Sequence, residues 1–294
     1  MTRTITTCPG IGDTIWLFMK LINQEEKFHW KIGDGSPQRG HQIFELFPQL
    51  VESFEYIPRS GYNKIKRNAF NGKWKKTPET FYLEANSHLE AGYRIEKFLS
   101  DLKTTFKLEY ATTKKDETTA LDILCSYSTP TKVGLIYSFE HPLIGIYTSA
   151  YSNARHWGGW EAKEWLELIG LIKNYNRDYK FVLIGAEYDI GIPAEIMAAL
   201  PKDDYINTVG QPLSVVIEIL KRLDAFIAFP SGLSIINETC GAKKTLMMYP
   251  PHLVNLMNAW PDPERIENNS YKGCLFTDPK NIFNWMLEYW KDLF

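Results

Sequence analysis

Residues 225–229, Ala-Phe-Ile-Ala-Phe, form an unbroken apolar run that ends at Pro-Ser-Gly and leads into a short helical stretch. A strand with one face in water alternates apolar and polar residues. A run with no polar member needs cover on both faces, as strands of parallel α/β sheets have. Ser231 stands where it would cap the next helix, and Gly241 where it would stop it. Residues 245–249 then read as another strand. The turn at 230–234 aims backbone N–H groups past the carboxyl end of the sheet, where the helix dipole and unpaired donors suit a phosphate. Taken alone, the stretch also fits an ordinary strand–helix crossover.

The same alternation runs through the chain. Strands are expected at 4–8, 28–32, 53–57, 81–84, 133–137, 179–184 and 205–208, and helices at 14–23, 95–102, 159–174, 194–200, 212–222 and 282–290. Pro9-Gly10-Ile11-Gly12-Asp13 breaks the first strand and opens the first helix. Residues 110–119 are rich in Thr, Lys and acids, so an exposed linker segment is expected there. Strands alternating with helices predict a doubly wound α/β architecture, and 294 residues suggest two such domains. Two units with a cleft between them is the simplest arrangement, with ligands outside the carboxyl ends of the strands.

Composition narrows the class without naming a partner. A hydrophobic share of 44% with 23% charged residues is that of a soluble globular chain, and a net charge of −2 is too near zero for global electrostatics to name a partner. Cys8, Cys125, Cys240 and Cys274 are scattered, so free thiols in a reducing compartment are expected. No signal-peptide pattern and no membrane-length apolar run is visible, which points to a cytoplasmic protein. No metal constellation stands out: the six His are dispersed, and Asp203-Asp204 is adjacent rather than spaced.

Four local patterns occur in order: Gly12-Asp13 after the first strand, Arg155-His156-Trp157 before the 159–174 helix, Gly185-Ala186-Glu187 after the next strand, and Ser231-Gly232-Leu233-Ser234. Together they resemble glycosyltransferase family 9, the bacterial ADP-heptose:lipopolysaccharide heptosyltransferases. The resemblance covers residues 4–23 and about 131–250. It implies a GT-B fold, two Rossmann-like doubly wound domains facing a central cleft. The domains would be residues 1–125 for the acceptor and 126–278 for the nucleotide sugar, with a C-terminal helix at 279–294 packing back toward the first. It also implies that Asp13 is the catalytic base and that Arg155 contacts the donor phosphates, with His156 beside it. Glu187 would contact the ribose, and Ser231, Gly232, Leu233 and Ser234 would cradle the diphosphate. Two positions depart from the family pattern. An Asp two residues before the turn glycine is Pro230 here, and a His after the turn serine is Ile235. Pro230 has neither a side-chain acceptor nor an N–H donor, so the donor must be held differently there.

Each of these residues also has a plainer reading. Asp in a first helical turn is favoured by the macrodipole alone, Arg155 and Glu187 fit solvated turns, and Ser231 and Ser234 fit simple caps. Tyr137, Tyr147 and Tyr151 are expected in or near a long loop, for stacking on a ligand or for packing. Arg59, Lys64, Lys66, Arg67, Lys73, Lys75 and Lys76 are interleaved with Tyr62, Phe70 and Trp74, with no acid between residues 58 and 78. Gly12, Lys64, Lys66, Arg67, Lys73 and Trp74 are therefore the candidate acceptor contacts, although a basic run also fits a solvated surface. The implied activity is an inverting, metal-independent glycosyltransferase. It would use a nucleoside diphosphate sugar, need no cofactor, and act on an acidic acceptor, either a lipopolysaccharide-type glycan or a modified nucleic acid such as hydroxymethyl-pyrimidine DNA. The alternatives are a nucleotide-sugar epimerase and a non-catalytic nucleotide- or nucleic-acid-binding module.

Overall fold

The computed structural model describes residues 3–7, 10–33, 41–70, 80–83, 101–126, 130–133, 136–139, 141–148, 159–240, 243–258 and 261–294. The chain divides into two compact units, Met1–Ala111 and Thr112–Phe294.

The first unit runs β1 (Arg3–Thr7), α1 (Ile11–Leu21), β2 (Phe28–Gly33), α2 (Gln42–Glu45), β3 (Val51–Ile57), α3 (Arg59–Phe70) and β4 (Thr80–Leu83). Its four strands are parallel in the order β3-β2-β1-β4. The chain leaves β1 for β2 on one side and β4 pairs on the other, so β1 and β4 flank the point where the winding reverses. Aromatic residues fill the core. Phe18 of α1 meets Trp30 of β2 edge-on with centroids 5.2 Å apart, and also packs on Phe44 and Phe47. Edge-to-face packing of this kind adds about 1 kcal/mol per pair beyond area burial. Lys20, near the end of α1, is buried and donates to the Leu102 carbonyl at 2.8 Å, which ties the stretch after residue 100 to this helix. The helix expected at 95–102 falls mostly outside the described residues.

The second unit contains α4 (Lys114–Cys125), β5 (Pro130–Val133), β6 (Ile136–Phe139), β7 (Leu143–Tyr147), α5 (Ala162–Tyr175), β8 (Lys180–Leu183), α6 (Gly191–Ala199), β9 (Tyr205–Asn207), α7 (Leu213–Leu220), β10 (Ala225–Ala228), α8 (Gly232–Cys240), β11 (Lys244–Tyr249), α9 (Pro263–Glu267), β12 (Tyr271–Leu275) and α10 (Pro279–Tyr289). Six parallel strands form one sheet in the order β12-β11-β10-β7-β8-β9, the two-half winding of a Rossmann sheet. Its central strands β7 and β10 are entirely buried, as the apolar run at 225–229 requires. On one face Trp165, Leu168, Ile169 and Ile172 of α5 pack with Ile282 and Met286 of α10 against Ile144, Phe181, Ile227 and Met248.

Three expectations change. Residues 110–119 are not an exposed linker. Thr113 caps α4 reciprocally with Asp116 (Asp116 N–H to Thr113 Oγ1, 3.2 Å; Thr113 N–H to Asp116 Oδ2, 2.8 Å), and Ala120 and Leu124 are buried. The helix is tied to α7 by Arg222–Glu117 (3.1 Å), Thr112–Glu218 (2.6 Å) and Ser214–Asp116 (2.8 Å), so the unit boundary precedes α4 rather than following it. The strand expected at 133–137 is instead two antiparallel strands, β5 and β6. Residues 143–147, where no strand is expected from the sequence, are a central strand that ends at Tyr147. In the C-terminal stretch, α10 packs on α5 and Trp290 is buried in the core of the second unit.

Candidate functional site

In a doubly wound sheet the loops leaving two neighbouring central strands diverge to opposite faces, which opens a crevice at their carboxyl ends. In the second unit those strands are β7 and β10, with Tyr147 beside Ala228 in register. The turn after β10 carries the Ser-Gly-Leu-Ser sequence. Ser231 and Ser234 cap each other: the Ser231 N–H donates to Ser234 Oγ at 2.7 Å, and the Ser234 N–H to Ser231 Oγ at 3.3 Å. Ser234 is fully buried, and its hydroxyl reaches the Phe229 carbonyl at 2.9 Å. Gly232 and Leu233 begin α8, where backbone N–H groups have no acceptor within the helix. Two donors at the positive end of a helix dipole are a binding element for an anion. Pro230 and Ile235, the departures from the family pattern, are both buried.

The turn after β8 lies on the other side of β7. Glu187 is exposed there, and a Cβ added at Gly210, whose φ is +91°, would stand 3.5 Å from its Cγ. Two residues on, Asp189 is 6% exposed and accepts the Ala186 N–H at 2.9 Å. Tyr147, also 6% exposed, lies near both Ser231 and Asp189. Burial, then the neighbouring Asp189 and Tyr188, push its phenol well above the ordinary 10, with Ser231 pulling the other way. Tyr147 is therefore a permanent hydroxyl at the switch point. Sequence reasoning named Glu187 and passed over Asp189. The one signal available was a carboxylate three residues after a strand-ending Gly-Ala, the spacing that lets an acid cap its own turn.

In the first unit, Asp13 is the third residue of α1, in the turn that leaves β1. Gly10 caps the helix with φ −70°, so no left-handed backbone calls for glycine there. The requirement is steric: a Cβ at Gly10 would overlap the Asp13 carboxylate, which folds back over it. Thr14 bonds the Gly10 carbonyl through its hydroxyl at 3.0 Å and its N–H at 3.1 Å, fixing the floor under that carboxylate. Gly12 is buried. Lys64 and Arg67 are exposed on α3 and Lys66 is half-buried, while Tyr62 lies flat over Gly33 and anchors the helix. Arg155, His156, Lys73 and Trp74 lie outside the described residues, as does Tyr151. Among the described residues no three His, Cys, Asp or Glu side chains cluster in a way that could hold a metal ion, and no helix is long and apolar enough to cross a membrane.

No protein-family model matches the chain, and no curated protein does. Solved structures match it along its whole length. The glycosyl transferase family 9 protein from Veillonella parvula DSM 2008 aligns with a TM-score of 0.65 at 15% identity, over 99% of this chain and 97% of that one. E. coli ADP-heptose LPS heptosyltransferase II aligns at 0.61 with 12% identity, and E. coli heptosyltransferase WaaC with ADP at 0.55 with 13%, each over 99% of both chains. The chain has the α/β GT-B fold of these family 9 glycosyltransferases. At this identity the likeness concerns the fold.

Proposed function

We propose that the protein is an inverting, metal-independent glycosyltransferase that moves a sugar from a nucleoside diphosphate sugar to a hydroxyl of an acidic acceptor. The observation that carries this reading is the Ser231–Ser234 turn at the β7/β10 switch point, with the Gly232 and Leu233 N–H groups at the start of α8. The full-length likeness to family 9 folds supports it. In the reaction the acceptor O–H proton passes to the Asp13 carboxylate as the acceptor oxygen bonds to the sugar's anomeric carbon. The anomeric C–O bond to the diphosphate breaks, and the electron pair leaves with the diphosphate. The growing charge is met by the turn's N–H groups and by Arg155, which do what a cation does elsewhere. Glu187 contacts the ribose. Lys64, Lys66 and Arg67 of α3, together with Lys73 and Trp74 further along the sequence, attract the acidic acceptor. Pro230 and Ile235 replace polar family positions, so the sugar need not be heptose.

Calorimetric titration of the protein with ADP, UDP, GDP and CMP and their common sugar conjugates tests the donor site. Binding of one nucleotide, abolished in Arg155→Ala, is the expected result. Failure of all to bind removes the proposal. Conversion of the nucleotide sugar without any acceptor would reassign the protein to the epimerases. Binding without transfer or conversion would make it a binding module, and a nucleic-acid acceptor would also show binding that weakens steeply with salt. Gly10→Ala supplies a geometric test of the base. Its methyl group would push the Asp13 carboxylate aside, and displacement by about 1 Å is expected to lower kcat/KM about 100-fold. Unchanged turnover in this variant would mean that the position of Asp13 is immaterial to the reaction.

A further inference from the structure

We propose that Ser234 is a positioning residue rather than a diphosphate ligand: its buried hydroxyl ties the turn after β10 to the end of that strand, and the Gly232 and Leu233 N–H groups are left to meet the diphosphate. This rests on the donor-site reading above. Exposure separates the four residues of the turn. Ser231, Gly232 and Leu233 are each partly exposed, whereas Ser234 is 0% exposed. A hydroxyl with no accessible surface meets no phosphate oxygen unless the turn itself opens, although the resemblance to family 9 implies such a contact. The Ser234 hydroxyl is also committed. The Ser231 N–H donates to Ser234 Oγ at 2.7 Å, and the Ser231 hydroxyl lies 3.1 Å from the same oxygen, as donor or acceptor. The single Ser234 proton has two backbone carbonyls in reach, Phe229 at 2.9 Å and Ser231 at 3.0 Å. The Ser234 N–H donates to Ser231 Oγ at 3.3 Å. Pro230 brings no N–H, so the Ser231 N–H is the one backbone donor between Phe229 and α8, and Ser234 takes it. The far end of the tie is rigid. Phe229 is 1% exposed, and its ring packs on Trp165 of α5 with centroids 5.9 Å apart and on Phe276 at 5.7 Å. The hydroxyl therefore carries the fixity of this aromatic packing into the turn. Donors held in place before a ligand arrives cost less to order on binding.

Two readouts on Ser234→Ala test this: calorimetry with the ADP, UDP, GDP and CMP panel, and amide hydrogen exchange of the ligand-free protein. Whichever nucleotide binds the wild type is expected to bind the variant about tenfold more weakly, the worth of one buried hydrogen bond. The Ser231 amide is expected to exchange about tenfold faster with no ligand present. Weaker binding with unchanged exchange would make Ser234 a direct ligand and overturn the proposal. Faster exchange at wild-type affinity would leave it a merely structural tie and overturn the proposal as well, as would no change in either. If the wild type binds none of the panel, the donor-site reading is what fails, and the positioning role falls with it. Ser234→Cys keeps the shape but weakens both donor and acceptor, and it takes the same readouts should the alanine variant not fold.

Discussion

Asparagine at position 13 is expected to slow sugar transfer about 1000-fold while nucleotide affinity stays within about twofold of wild type. The substitution preserves the shape of the side chain over Gly10 and the hydrogen bond from Thr14 to the Gly10 carbonyl. It removes only the capacity to accept a proton, so the loss should fall on kcat rather than on the donor's binding constant. Single-turnover transfer from the nucleotide sugar identified by calorimetry, measured alongside the binding titration, separates the two. A rate within about tenfold of wild type would assign Asp13 to helix capping and leave the base elsewhere. Comparison with Gly10→Ala adds a second dimension. If Asp13 is the base, the two variants should lie on one scale, removal costing more than displacement.

The second large effect concerns stability. Glu218, on the buried side of α7, accepts from Thr112 (2.6 Å), Lys221 (2.6 Å) and Arg222 (2.7 Å), and Arg222 also reaches Glu117 of α4 at 3.1 Å. Burial by itself would raise the Glu218 carboxyl; the bonds from Lys221, Thr112 and Arg222 outweigh it and hold the pKa below its ordinary 4.5. Glu218→Gln is expected to cost about 3 kcal/mol, because it leaves the mostly buried Arg222 with Glu117 as its one carboxylate partner among the described residues. Urea unfolding should show the loss, and hydrogen exchange should localise it to α4. A cost below about 1 kcal/mol would reduce this cluster to a surface ion pair. The pH dependence has a definite sign. A carboxyl whose folded pKa is depressed contributes its full stabilisation above the unfolded value, and that contribution is lost as pH falls through the folded value. Protection of α4 should therefore hold at neutral pH and fade below pH 4.5, whereas in Glu218→Gln it should be low at both.

Much of the second unit was legible because its strands are short apolar runs bounded by turn residues. β8, β10 and β11, with α5, α7 and α8 between and around them, lie within a few residues of their expected positions. Segments whose burial depends on a partner were harder to read. Residues 110–119 carry enough charge to pass for a linker, and only the contact of α4 with α7 shows which side is buried. β7 contains Gly145 and follows Pro142, so it lacks the uninterrupted β-branched character that marks a strand, yet it stands at the centre of the sheet. In the first unit, the glycine-rich start of α1 announced a turn but not the reason for Gly10.

Local order along the chain was enough to determine an α/β protein with parallel sheets, a helix opened by Ser231, and Asp13 in the first turn of α1. Each follows from residues within a few positions of one another, where periodicity and capping act directly. The tertiary structure alone decided that Tyr147 lies near Ser231 and Asp189. Those three residues leave different strands, and they converge because β7 lies between β10 and β8. Strand order is settled by how whole crossovers pack on the two faces of the sheet, and no short sequence pattern encodes it.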